Sequence, residues 1–241
     1  MHRNMERAQR SRLFVWMGMG GILVALVGFT KTFFMPLLSG TFSAPLLIYM
    51  HGAFLFSWVV FFATQTIWVH RKDVRLHRTL GWVGAGLVIA VVVSTLGVGR
   101  LASERTAATG DIDMASRELL VIFMEMTVFS VLVASAFFLR RRADVHRRLM
   151  LLAFIASLGP AWFRFRHYFP PIDNPVFFYS LLLADSLIVI AAAVDFVRER
   201  RVHWVYAFVG SGMVGVHLVE VFAFDTTWFR LAANAIARPF L

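Results

Sequence analysis

The chain has no cysteine. Disulfides, thiolate metal sites and cysteine nucleophiles are therefore excluded. Charge is also scarce. Asp, Glu, Lys and Arg make up 16% of the residues, against about 25% in an average soluble domain. Negative charge is scarcest, with 14 acidic residues against 24 Lys and Arg. No low-complexity segment and no second, soluble domain is visible. Apolar stretches alternating over about 10 residues, the mark of a membrane β-barrel, are missing as well.

What the sequence has instead is long continuous apolar runs. Hydrophobic residues are 59% of the chain and the mean hydropathy is +0.71. Runs of about 20 apolar residues are long enough to cross a bilayer as helices, and backbone groups inside lipid must be satisfied within the segment. The pattern predicts an all-α, polytopic transmembrane helical bundle with about seven spans, at about 13–31, 45–69, 79–99, 118–139, 147–165, 175–197 and 203–224, treated as one transmembrane domain over 1–241. The basic N-terminus and the run from Leu13 to Thr30 resemble a signal peptide, but the run is long and no small-x-small site follows before Lys31. It reads as an uncleaved first helix. After the last span, Trp228, Phe229 and Leu231 suggest a short interfacial helix.

The net charge of +10 is concentrated at span ends. His70, Arg71, Lys72, Arg75 and Arg78 fill one connection. Arg140, Arg141, Arg142, Arg147 and Arg148 fill another, and Arg198, Arg200 and Arg201 a third. With the basic N-terminal tail, these segments fall on one side of a seven-span chain. The positive-inside rule then places the N-terminus in and the C-terminus out, with the basic turns against anionic lipid of the cytoplasmic face. This distribution argues against a nucleic-acid partner.

Ionisable side chains inside spans are costly, so each is a functional candidate. Seven residues of helix correspond to about 10 Å of depth. On that count His51, Glu125, Asp185, His217 and Glu220 share one depth band in the outer half, and Arg164, Arg166 and His167 close the fifth span on the same side, as Lys31 and Arg100 close the first and third. His217 and Glu220, three apart, share a helix face. Imidazole and carboxylate converging from several helices can hold zinc, iron or manganese, which makes His51, His217 and Glu220 candidate metal ligands. Glu125 and Asp185 are candidates for acid–base work beside such a metal, with Arg164 balancing charge or binding an anionic group of a substrate. The same residues could serve as a proton or solute pathway, or pair with Arg164, Lys31 and Arg100 as a structural network. Redox or hydrolytic chemistry, a small transporter or proton-coupled sensor, and a structural subunit all stay open. Pro160 is expected to kink the fifth span near Arg164, and the tryptophans mostly to form interfacial belts.

The segments Val74–Leu80 and Asp144–Leu149 look alike, each opening a returning span with His-Arg, at His77–Arg78 and His146–Arg147. This placement suits anchoring at lipid phosphates; the alternative is haem held by His77 and His146. Haem between His51 and His217 is a further alternative. At His51–Gly52, Gln65, Leu76–Gly81 and Val145–Ala153 the chain resembles a group of uncharacterised bacterial multi-pass membrane proteins, over roughly residues 45–168. The resemblance implies a bacterial inner-membrane home. The spaced histidines also loosely resemble those of two-haem b-type membrane cytochromes.

Overall fold

The computed structural model describes residues 2–241, with side chains from Arg12 onward. Among these residues there is no β-strand, and seven helices are long and apolar enough to cross a membrane. They are α1 (Arg12–Leu38), α2 (Leu46–His70), α3 (Val74–Ala108), α4 (Ile112–Phe138), α5 (Ala143–His167), α6 (Val176–Glu199) and α7 (Val205–Phe222). A shorter helix, α8 (Thr227–Ile236), follows. The seven-span bundle expected from hydropathy is the observed architecture.

Two boundaries differ from expectation, for a physical reason. The stretch Ser103–Arg117, expected as a connection, is mostly helix. Hydropathy marks the membrane, whereas a helix continues as long as its residues favour it. Arg100 and Glu104 form an i,i+4 ion pair at 2.8 Å that supports α3 beyond its apolar run. The turn comes only at Gly110, where φ is +96°. Asp111 then caps α4, accepting from Met114 N at 2.8 Å. On α4, Leu119 and Leu120 pack with Phe229 and Ala233 of α8. The C-terminal helix thus docks on the protein through Phe229, while Trp228 and Leu231 are exposed.

Helix α5 has the lowest mean hydropathy of the seven, 1.3, and is the most enclosed. The two facts belong together, because a helix facing other helices need not be lipid-compatible all round. Leu151, Leu152, Ala153, Phe154 and Ile155 are fully buried, and Phe154 stacks on Phe62 of α2 at 4.0 Å. Lipid-facing positions on the outer helices carry exposed Leu23, Val60, Ile89, Val131, Val189 and Phe208. Trp58 departs from the belt pattern: it is enclosed, edge-on to Phe129 at 5.4 Å, and its indole N–H donates to Ser157 Oγ at 3.2 Å.

As Pro160 predicts, α5 is broken. Regular helix ends at Ala156 and resumes at Gly159–Phe163, with a 3-10 turn over Arg164–His167. In lipid, helix association draws little from the hydrophobic effect, so close packing decides it. At the break α1 approaches so tightly that a Cβ on Gly28 would overlap the carbonyl oxygen of Ala161. One turn further on, this contact sets Arg164 against Thr32.

Candidate functional site

Three helices bring four ionisable side chains together. Asp185 lies in the first regular turn of α6, directly after a π-helical stretch over Val176–Leu183. Such stretches rotate the following residues and recur at functional sites. His217 and Glu220 lie on the regular part of α7, which also opens with a π-helical stretch, Val205–Gly210. Glu125 comes from α4. Asp185 and His217 are buried, at 5% and 7% exposure. Nδ1 of His217 stands 3.0 Å from both carboxylate oxygens of Asp185. Since a carboxylate only accepts, Nδ1 carries the proton it donates. Nε2 of the same ring lies 3.5 Å from Glu125 Oε1. Glu220 lies one turn beyond His217 on α7, and its Oε1 is enclosed without a hydrogen-bond partner. The order is Asp185, His217, Glu125, Glu220. Among the described residues no Lys or Arg forms an ion pair with the group.

His51 and Arg164 share its depth band but not its position around the bundle. Nδ1 of His51 lies 3.4 Å from Ser94 Oγ on α3. That hydroxyl already donates to Val91 O at 3.1 Å, so it accepts from the imidazole. Arg164 donates from Nε to Thr32 Oγ1 at 3.2 Å and from Nη1 to Pro160 O at 2.8 Å, and it lies over the Phe29 ring at 4.1 Å. The expected metal set of His51, His217 and Glu220 is thus divided between two groups. Among the described residues, no three His or carboxylate side chains are arranged to hold a metal ion. Nor do the expected cations cap the acids: Arg100 pairs with Glu104 and Lys31 donates to His167 O at 2.8 Å.

At the other end of the bundle the structure pairs His77 with His146, ring centroids 6.2 Å apart. Each is the fourth residue of its helix, at the start of α3 and of α5. Nδ1 of His146 donates to Ala136 O at 2.8 Å, and Nδ1 of His77 is enclosed without a partner. The two rings meet edge to face, with an angle of 72° between their planes.

Sequence reading missed the ion pair beside them. Arg148, taken as part of a basic turn, is 2% exposed. It grips Asp195 of α6 through Nε at 2.8 Å and Nη2 at 2.9 Å, and reaches Glu199 at 3.3 Å. The signal was present: Asp195 interrupts an apolar run near the basic end of its span, where an acid needs a cation. In the adjoining connection, burial and the Arg148 charge hold His203 below the ordinary imidazole range, although Asp144 beside it acts in the opposite sense.

Compared with known proteins, the chain matches no family model, no curated protein and no solved structure.

Proposed function

We propose that this is a proton-coupled membrane protein of the small transporter or sensor class, and that its working part is the relay Asp185–His217–Glu125–Glu220. The observation that carries the reading is the His217 ring held between two carboxylates, 3.0 Å from Asp185 and 3.5 Å from Glu125, with no Lys or Arg ion-paired to the group among the described residues. Two carboxyl groups brought close together at a site do not both ionise readily, and a shared proton turns their repulsion into a hydrogen bond. An imidazole can take a proton at one nitrogen and give one up at the other. Both nitrogens of His217 face carboxylates, so the ring is placed to pass protons between Asp185 and the glutamate pair. Glu125 is only partly buried and gives the relay its opening.

A metal centre is the reading the residue types first suggest. It is less well supported, because the second histidine, His51, lies against Ser94 on another helix instead. For its setting we propose a bacterial cell inner membrane, with the N-terminus cytoplasmic and the basic turns against anionic lipid. This rests on the charge pattern and on the resemblance over residues 45–168.

A pH jump in lightly buffered detergent solution, read with an indicator dye, tests the relay. The wild-type protein should release more protons than Glu125→Gln or Glu220→Gln, and Arg75→Gln at the other end of the bundle should behave as wild type. Equal release from all four proteins rules the relay out.

A further inference from the structure

The basic turns that open α3 and α5 each place a histidine as the fourth residue of the helix, His77 and His146. Both lie at the end of the bundle away from the relay. The carbonyls in the last turn of α4 have no partner within that helix, and one of them, Ala136 O, accepts from Nδ1 of His146 at 2.8 Å. In the neutral ring that bond fixes the tautomer, so Nε2 of His146 carries a lone pair and no proton. Nδ1 of His77 is enclosed without a hydrogen-bond partner, a cost that ring packing alone leaves standing.

The rings stand at the separation that a shared ion needs. With metal–nitrogen bonds of about 2.0 Å and each nitrogen about 1.1 Å from its ring centre, two imidazoles on one ion have centres about 5 Å apart at a tetrahedral angle and about 6 Å apart in line. The observed 6.2 Å matches the in-line arrangement. A histidine bound to metal ordinarily gives its other ring N–H to a carbonyl or carboxylate, as His146 gives Nδ1–H to Ala136. The ligands number two, fewer than the three or four that zinc sites draw from the protein. Neither ring pairs with a carboxylate among the described residues, and Arg78 and Arg147 follow the two histidines in the chain. A monovalent ion meets less repulsion there than a divalent one. Cuprous copper fits both conditions, since it is monovalent, bound by imidazole and content with two nitrogen ligands in line.

We propose that His77, through Nδ1, and His146, through Nε2, hold a cuprous ion between the starts of α3 and α5. The site uses none of the relay residues, so either can fail without the other.

The test is titration of the full-length protein, stripped of metal by chelator in maltoside micelles, with Cu(I) under ascorbate and argon against the indicator bicinchoninate. Zn(II) is titrated in parallel, and the visible spectrum is taken before stripping. The variants are His77→Gln, His146→Gln and, at a third histidine that closes α2 at the same end, His70→Gln. Nδ1 of His77 makes no hydrogen bond to lose, so His77→Gln keeps the test decisive if His146→Gln fails to fold. One Cu(I) per chain, with affinity lowered about a hundredfold or more by His77→Gln and His146→Gln but unchanged by His70→Gln, supports the site. No binding of Cu(I), binding undiminished by His77→Gln, equal weakening by all three variants, or tighter binding of Zn(II) at the same pair overturns it. A haem band in the purified protein that is missing from His77→Gln overturns it in favour of haem iron.

Discussion

Both carboxylate oxygens of Asp185 lie 3.0 Å from Nδ1 of His217. That contact fixes which nitrogen of a buried imidazole carries the proton and which faces Glu125. Replacing Asp185 by Asn keeps the size but removes the charge that assists the bond. Asp185→Asn should destabilise the protein by about 1–3 kcal/mol. It should also convert the imidazole from one tautomer to a mixture, which ¹⁵N shifts of the labelled ring report. An unchanged ring spectrum in the variant would show that Asp185 does not orient His217.

The Arg148–Asp195 pair is enclosed, so the two single replacements and the double should not add. Arg148→Met leaves a buried carboxylate without its cation and should cost about 3–5 kcal/mol, whereas Arg148→Met with Asp195→Leu should recover much of the loss. Reversible unfolding of the three variants in mixed micelles measures the coupling. Additive losses would mean that the pair does not act as a unit.

At Gly28 a methyl group has nowhere to go, because Ala161 O occupies its place. Gly28→Ala should force α1 away from the break in α5 and cost about 1–3 kcal/mol. Gly20→Ala, where a Cβ meets nothing within 4 Å, should be neutral or slightly stabilising. Thermal unfolding of the two proteins decides this; equal midpoints would contradict the packing.

Orientation follows from charge. Reporter fusions at Arg71, Arg141 and Arg200 should read cytoplasmic, and fusions at Thr109 and Asn174 external. The opposite assignment would invert the protein, and with it the side to which the relay belongs.

Sequence reading reached the spans and one coordinate of the site. Apolar runs gave seven helices, and counting residues along them put His51, Glu125, Asp185, His217 and Glu220 at one depth. Depth says nothing of position around the bundle, which depends on which helices touch. Glu125, Asp185, His217 and Glu220 met because α4, α6 and α7 come together at that level, while His51 on α2 met Ser94 on α3. Arg148 was hidden for a related reason. A basic turn looks the same whether its helix ends in lipid or, like α5, in the middle of the protein. The likeness of Val74–Leu80 to Asp144–Leu149 was visible, but the meeting of His77 with His146 needed the fold.

The proposed relay requires a proton shared by Glu125 and Glu220, and infrared spectroscopy of the reconstituted protein would detect that proton directly. The carbonyl stretch of a protonated carboxyl group should be present at neutral pH, shift on exchange into D₂O, disappear as pH is raised, and be absent from the Glu125→Gln, Glu220→Gln double variant. A wild-type protein with no such band at neutral pH, or one whose band survives in the double variant, would contradict it.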